Sequence, residues 1–553
     1  MTPPPGGSAA GDAAVAVDIA APAPGGTAAE GRHPSVFSPP TLVALALLSV
    51  FGAVIGIQLI VTLGVTPNTS IIGALVAMIA ARVPLQVFAG FRSVHVQNLA
   101  QSAISSATFG AANSLLLPIA VPFLLGRPDL VPPMFAGAAA AMLLDAVLLW
   151  RMFGSRVFPA TGAWPPRVAV AEAIKAGDAG GRQAALLGAG IAAGAGGAWL
   201  GVPMSAFGIA FIGNIWALAM FGIGLLLRAY SVPVAGYDLN RLYIPHGMMV
   251  GAGLVALVQV GLLIARRRPP AARDAAAADP NDAATGRVLG IGWIAYLVLS
   301  ALLAVACGLS AEMPWGMLAL FVLYAAFAAY AHELIVGIAA MHSGWFPAFA
   351  VALITLLVGL LLGFPPVALA VLVGFSAATG PAFADMGYDL KAGFVLRGAG
   401  ADPAFEIEGR RQQLLAALLA FVVAMPVVLL AYRGYFAAGL VPPVTKVYAA
   451  TIRAGLDAGV ARQLLVWAVP GALVQALGGP QRQLGVLLAT GLLIASPLAG
   501  WAVAAGLAVR ALLERFGGGP VRGPMEVFAG GVIAGDALFS FFSSVLRVGF
   551  RGR

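Results

Sequence analysis

Along the chain, long apolar runs alternate with polar connections. Runs of about 20 apolar residues fit membrane-crossing helices, because 20 residues rising 1.5 Å each match about 30 Å of hydrocarbon. They begin with Thr41–Leu63, Ser70–Gly90, Asn98–Leu125 and Met134–Phe153, then Gln183–Ser205, Phe207–Leu227 and Leu242–Ala265. After a polar stretch follow Val288–Leu309, Met317–Met341, Phe346–Phe364, Val367–Ala384, Leu414–Tyr432, Leu464–Leu477, Leu484–Val509 and Glu526–Val545. Apolar positions within these runs are continuous instead of alternating, which argues against barrel strands. Helices then remain as the way to satisfy every backbone polar group in lipid. The pattern predicts an all-α polytopic membrane protein of about 14–16 transmembrane helices in two halves, some of them broken or re-entrant.

Two connections interrupt the rhythm, residues 154–182 and 266–287. The second, RRRPPAARDAAAADPNDAATGR, has a basic start and a flexible body, so it reads as a cytosolic linker between membrane halves at 41–265 and 288–547. Residues 1–40 are rich in Pro, Gly and Ala and predict a disordered tail. The tail is no signal peptide, since the first apolar run follows a long Pro-rich stretch and lacks a small-residue cleavage site. The connections richest in Arg and Lys are Arg151–Arg182, Arg266–Arg287, Lys391–Arg411 and Arg433–Arg462. They cannot all face the cytosol if every run crosses fully. Asn98–Leu125, with Pro118 and Pro122, and Leu464–Leu477, with Pro470 and Gly471, are the candidates for breaks, with a plain proline kink as the alternative. Broken helices at membrane depth must line protein or water, which makes them signatures of a transport site.

Composition agrees with a lipid solvent: 60% of residues are hydrophobic and 10% charged, against about 25% charged in soluble domains. The net charge of +9 is scattered between apolar runs, so it describes loops and gives no nucleic-acid patch. Of 31 basic residues only Lys175, Lys391 and Lys446 are lysines, which singles out positions where a compact ammonium is used in place of a guanidinium. The lone Cys307 can form no internal disulfide, and no His/Cys cluster suggests a bare metal ion, so no metal site and no cofactor are expected. Small residues such as those of Ile191–Leu200 predict close helix packing.

Ionisable groups inside or beside apolar runs cost several kcal/mol unless paired or wetted. They are Asp145, His246, His332, Glu333, His342, Asp385 and Asp536. The adjacent His332 and Glu333 could carry a proton through a transport cycle. An embedded hydrolase is poorly supported. His332-Glu333 lacks a second zinc ligand at Val336, and no histidine follows Gly374-Phe375-Ser376-Ala377. Gly535-Asp536 lacks the second glycine of an intramembrane aspartyl protease, since Ile533 stands in its place. No Gly-rich stretch carries the lysine of a phosphate loop, so ATP is not implied.

Three elements resemble the oligopeptide transporter (OPT/YSL) superfamily, and prokaryotic members in particular. Asp389-Leu390-Lys391-Ala392-Gly393 followed by Arg410-Arg411-Gln412 is similar to an Asp-Leu-Lys-Thr-Gly motif and a later Arg-x-Gln, with Ala392 for Thr and a longer acidic insert between. Phe158-Pro159-Ala160-Thr161-Gly162 with Ala171 and Glu172 resembles Phe-Pro-x-Gly-x-Ala-x-Ala-Glu, interrupted here by Trp164–Arg167. Asn98-Leu99-Ala100-Gln101-Ser102 is similar to Asn-x-x-Gln-Thr, with Val96 and Gln97 where the family often has a Glu. Weaker similarity continues through Tyr243–Gly247 and Gly439–Pro443.

The resemblance implies a multi-pass protein of the bacterial inner (cytoplasmic) membrane, a secondary-active symporter that imports oligopeptides with protons. A carrier of metal chelates, such as metal–nicotianamine or siderophore complexes, is the alternative within the superfamily, and a channel lies outside it. The implied partners are a small peptide or metal chelate, protons and the lipid bilayer, with a homodimer left open. A peptide offers a carboxylate and an amine, so Asn98, Gln101, Asp389, Lys391 and Gly393 are the expected substrate-binding positions. Glu172, Lys175, His332 and Glu333 are the expected coupling or gating positions, and Phe158, Pro159 and Gly162 mark the motif.

Overall fold

The computed structural model describes residues 32–63, 86–179, 181–265, 280–344, 348–455, 458–494, 496–516 and 522–551, with short pieces at 73–74, 77–78 and 81. The expected span Ser70–Gly90, most of the tail and linker residues 266–279 lie outside the described residues or largely so. The helices are α1 (Pro39–Leu63), α2 (Val94–Phe109), α3 (Leu117–Leu124), α4 (Val131–Met152), α5 (Pro165–Ala179), α6 (Gly181–Trp199) and α7 (Met204–Ile209). They continue as α8 (Ile215–Ala235), α9 (Ile244–Ala265), α10 (Pro280–Ala306), α11 (Leu309–Glu312), α12 (Trp315–Ser343), α13 (Ala348–Leu361) and α14 (Pro366–Ala378). The last are α15 (Pro381–Leu396), α16 (Pro403–Ala437), α17 (Pro443–Ala454), α18 (Ala458–Arg482), α19 (Leu484–Leu493), α20 (Pro497–Phe516) and α21 (Arg522–Arg551).

Nine helical runs among the described residues are long and apolar enough to cross a membrane, and three shorter apolar helices accompany them. The chain is an all-α polytopic membrane protein. Large exposed side chains such as Leu430, Leu477 and Trp199 face outward, as expected where lipid covers the surface. Two runs are buried on nearly every side: Val94–Leu124, 89% inside the protein, and Pro366–Leu396, 94%. These two form the centre.

Buried side chains gather in two main cores. One draws on α1 to α4 and α10 to α17, and the other on α5, α7 to α9, α12, α13 and α18 to α21. Each therefore takes helices from both sides of residues 266–287. Between α6 and α21 the backbones touch. A Cβ on Gly194 would lie 2.1 Å from the Val532 carbonyl oxygen, and one on Gly535 would lie 2.1 Å from that of Ile191. Lipid gives no hydrophobic drive between helices, so this approach supplies the packing contact that holds the pair.

Several expectations need correcting. Asn98–Leu125 does not break at its prolines: a π-helical turn, Gly110–Leu116, joins α2 to α3 and absorbs the irregularity just before Pro118. Leu464–Leu477 runs unbroken through Pro470 within α18, whose one non-helical residue is Gly479. The break lies instead between α14 and α15, where Thr379 is extended and Gly380 has φ +91°. The Asp-Leu-Lys element, expected in a connection after the run ending at Ala384, lies inside α15, buried from Pro381 to Phe394. Ordered structure also reaches into both the expected tail and the expected linker. Helix α10 starts at Pro280, inside the expected linker. Val36 is fully buried in the expected tail, its N–H donating to Gln412 Oε1 at 2.8 Å.

Candidate functional site

The polar face of α2 repeats with helical period: Asn98, Gln101, Ser102, Ser105 and Ser106 are all fully buried. Opposite it α15 presents Asp385 and Asp389, one turn apart and also fully buried. Between them enters Arg167 from the first turn of α5. Pro165 and Pro166 open that helix, and the preceding Trp164 holds a left-handed backbone with φ +41°, a conformation costly for a bulky residue and held only by its surroundings. Its indole packs edge-on to Tyr388 at 5.6 Å, over the space a Cβ on Gly387 would fill.

The Arg167 guanidinium reaches both carboxylates: Nη2 lies 2.8 Å from Asp385 Oδ1, and Nη1 lies 3.0 Å from Asp389 Oδ1. It also donates to Gln101 Oε1 and to Ser105 Oγ, each at 2.5 Å, and lies over the Tyr388 ring. Ser105 donates its own hydroxyl to Asp385, and Ser106 donates across Asp385 and Asp389 at 3.0 and 3.2 Å. Gln101 Nε2 donates to Asn98 Oδ1 and Ser102 Oγ, both at 3.0 Å. A fixed cation, two carboxylates, amides and hydroxyls thus converge at the centre of the molecule. Such a group is costly to bury, since two carboxylates share one guanidinium.

Of the five expected binding positions, the structure brings Asn98, Gln101 and Asp389 into this cluster. Gly393 lies at its edge, where a Cβ would fall 2.0 Å from Gln413 Oε1 and 2.2 Å from Arg397 Nη1. Gln413 donates to the Asp389 carbonyl oxygen at 2.5 Å and accepts from Arg397 at 2.8 Å. Arg397 forks onto Glu406 at 2.7 and 3.1 Å, and Glu406 also takes Arg410. Lys391, two residues from Asp389, serves a different contact. Its Nζ donates to the Ala160 carbonyl oxygen at 3.1 Å. That oxygen belongs to the Phe158–Gly162 turn, closed by Gly162 N–H on Pro159 O at 2.8 Å, with Phe158 buried edge-on to Phe383. Two elements distant in sequence therefore meet through the lysine.

The four expected coupling positions separate into two places. Glu172 and Lys175 form a half-exposed ion pair at 3.0 Å on α5. His332 and Glu333 are fully buried on α12, beside the α14–α15 break. His332 Nδ1 contacts the Ser376 carbonyl oxygen, and Thr379 Oγ1 donates to the same oxygen at 2.8 Å. Asp145 Oδ2 accepts the Gly380 N–H at 2.7 Å, and Tyr296 Oη lies 2.5 Å from Asp145 Oδ1 and 2.8 Å from Glu333 Oε2. Of the other ionisable positions, Asp536 accepts from the Ser205 N–H at 2.6 Å and His342 contacts the Ile338 carbonyl oxygen.

Sequence reasoning passes over Arg167 and Tyr296. The four residues Trp164–Arg167 read as an interruption of a motif, whereas they deliver the central cation. The i, i+4 spacing of Asp385 and Asp389 is the available signal that both share a face.

The model of the family described as OPT oligopeptide transporter protein matches residues 271–547. The matched stretch contains Tyr296, Glu333, Asp385, Asp389 and Lys391, while Asn98, Gln101, Asp145 and Arg167 lie ahead of it. Comparison with curated proteins gives no match.

Proposed function

The chain belongs to the OPT oligopeptide transporter family, and from that premise we propose that it is a proton-coupled symporter importing oligopeptides across the bacterial inner membrane. The observation that carries the proposal is the buried set of Arg167, Asp385 and Asp389 at the most enclosed depth of the helical bundle. A peptide bears one carboxylate and one ammonium. Entering this site, its carboxylate would take the place of Asp389 on the guanidinium, and its ammonium would take the released aspartate. Asn98, Gln101 and the α2 hydroxyls supply neutral donors and acceptors for peptide amides. The exchange keeps every buried charge paired, so the desolvation cost is borne once, in folding.

In this reading Lys391 and Gly393 position α15 against the 158–162 turn and Gln413, and the Glu172–Lys175 pair lies on the partly exposed side of α5. The halves 41–265 and 288–547, joined by 266–287, then each supply helices to both cores. A metal chelate, itself rich in carboxylates, is the second substrate class that an arginine flanked by amides would hold.

Uptake into proteoliposomes under an inward proton gradient tests this, with labelled tetrapeptides and iron or nickel chelates offered separately. Gradient-dependent peptide uptake, lost in Arg167→Lys and Asp389→Asn, is the expected outcome. Uptake of chelates alone would move the protein to the second class. Transport at parental rates in both variants, or in Lys391→Met and Glu172→Gln, would refute the corresponding site assignment.

A further inference from the structure

Three oxygens lie in a row at the α14–α15 break: Asp145 Oδ1, Tyr296 Oη and Glu333 Oε2, with contacts of 2.5 and 2.8 Å. The phenol has one proton and can fill only one of the contacts. Two ionised carboxylates would leave lone pairs facing each other at the other. A second proton is therefore required, and it must come from a carboxyl group. The partners show which one. Asp145 accepts from both Tyr296 and the Gly380 N–H, as a carboxylate does. Glu333 meets the phenol through Oε2 and also contacts the Asp145 carboxyl directly, a second pairing that needs a proton on one of the two. Asp145, already accepting from the phenol and from the Gly380 N–H, takes the part of the carboxylate, and Glu333 is the acid, with Asp145 and the phenol oxygen both in reach of its proton.

No cation among the described residues lies within ion-pair distance of either carboxyl. The ionisable groups facing them are Tyr296 on α10 and, on α12, Tyr330 and His332. Tyr330 donates to the Leu289 carbonyl oxygen and His332 faces Ser376. The nearest charges on α15 are Asp385 and Asp389, already held by Arg167.

We propose that Glu333 holds the exchangeable proton of the transport cycle and that its release is transmitted to the substrate site through the helix break. This rests on the proton-coupled reading above. The proton of Glu333 reaches Asp145 either across their direct contact or by relay, the phenol taking it and giving its own to Asp145, and Tyr296 ends neutral in both cases. An O–H bond forms on Asp145 as one breaks on Glu333. A protonated Asp145 accepts the Gly380 N–H less strongly. Gly380 is the first residue before α15, and α15 carries Asp385 and Asp389. The hinge that reads the proton is thus the hinge that positions the carboxylates.

The first test needs no substrate. Infrared difference spectroscopy of the full chain in lipid at neutral pH should show the carbonyl stretch of a protonated carboxylic acid that Glu333→Gln removes and Tyr296→Phe shifts. The glutamine amide can still donate to the phenol, which favours folding, and Tyr296→Phe provides an independent readout. A band unmoved by both changes overturns the proposal.

The second test compares proton-driven accumulation of the tetrapeptide or iron chelate with exchange at equal pH. At one proton per substrate, a tenfold gradient supports up to about tenfold accumulation. Glu333→Gln should bring the ratio to one while exchange continues. Accumulation at the parental ratio overturns the proposal. If the parent accumulates neither probe, the transport reading fails, and the infrared result still decides where the proton resides.

Discussion

Replacing Arg167 by Met removes the cation that two buried carboxylates share. The parent guanidinium makes two ion pairs, at 2.8 and 3.0 Å, and two further hydrogen bonds. Without it Asp385 and Asp389 remain one turn apart on α15, both fully buried, with serine and amide donors beside them. Breaking a buried pair by deleting one partner costs about 3–5 kcal/mol, because the remaining charge stays desolvated. Removing the charges together costs far less, since a neutral set needs no counterion.

Arg167→Met should therefore lower the unfolding midpoint of the purified protein strongly. Adding Asp385→Asn and Asp389→Asn should restore most of the loss. Asp385→Asn alone should cost more in the parent than in the Arg167→Met background, with a coupling of about 0.5–3 kcal/mol in a double-mutant cycle. Arg167→Lys should fold, because the charge is kept, yet one ammonium cannot replace a fork that spans both carboxylates. Thermal melts followed by size-exclusion recovery supply the measurements. Effects that add to within about 0.5 kcal/mol would show that the three side chains do not act as a charged unit, and the site reasoning would fall with them.

Gly393→Ala should disturb the same site from its edge, since the new methyl would overlap Gln413 and Arg397. A loss of about 1–3 kcal/mol is expected for such overpacking, read as a lower melting point, and a melt equal to the parent's would show that the neighbours move aside freely. His33 lies outside the spans, against His95 and Phe405. Burial lowers it from its ordinary 6.5 to about 4. The folded form thus binds its proton less readily than the free segment, so docking of residues 32–38 is undiminished above pH 6.5 and weakens as pH falls from 6.5 toward 4. Hydrogen exchange at Val36 N–H should rise over that window, and a His33→Phe variant should reduce the pH dependence, leaving the share of the adjacent His95. A flat profile in the parent would contradict the assignment.

How much of this was legible depended on which physical signal each feature leaves in the chain. Apolar run length is strong, so the helical membrane class could be read directly. Helix breaks are weak signals. Proline suggests them, yet Pro118 follows a π-helical turn at the start of α3, Pro122 lies inside α3 and Pro470 inside an unbroken helix, while the actual break uses Thr379 and Gly380. A threonine–glycine pair among seventy glycines carries no distinguishing mark. The polar face of α2 was legible in part through Asn98 and Gln101, because they fall in the element that resembles Asn-x-x-Gln-Thr. Arg167 was not, because its meaning comes from a fold that brings residue 167 to residues 385 and 389. No local pattern encodes that distance.

The two buried clusters meet on one segment of the chain. Asp145 and Glu333 come from α4 and α12, and Arg167 comes from α5, yet Asp145 and Arg167 both hold the single segment from Gly380 to Asp389, with Glu333 joined to it through Asp145. That segment starts with a glycine in a conformation other residues resist, held by Asp145, and continues as a helix whose carboxylates are held by Arg167. A rigid helix transmits a displacement at one end to side chains one and two turns along it. An intact transmembrane helix in place of α14 and α15 would pin Gly380 through its own backbone bonds and remove the freedom the break provides. In the proposed cycle, the irregular backbone is therefore the element through which a proton at one cluster would alter charge pairing at the other.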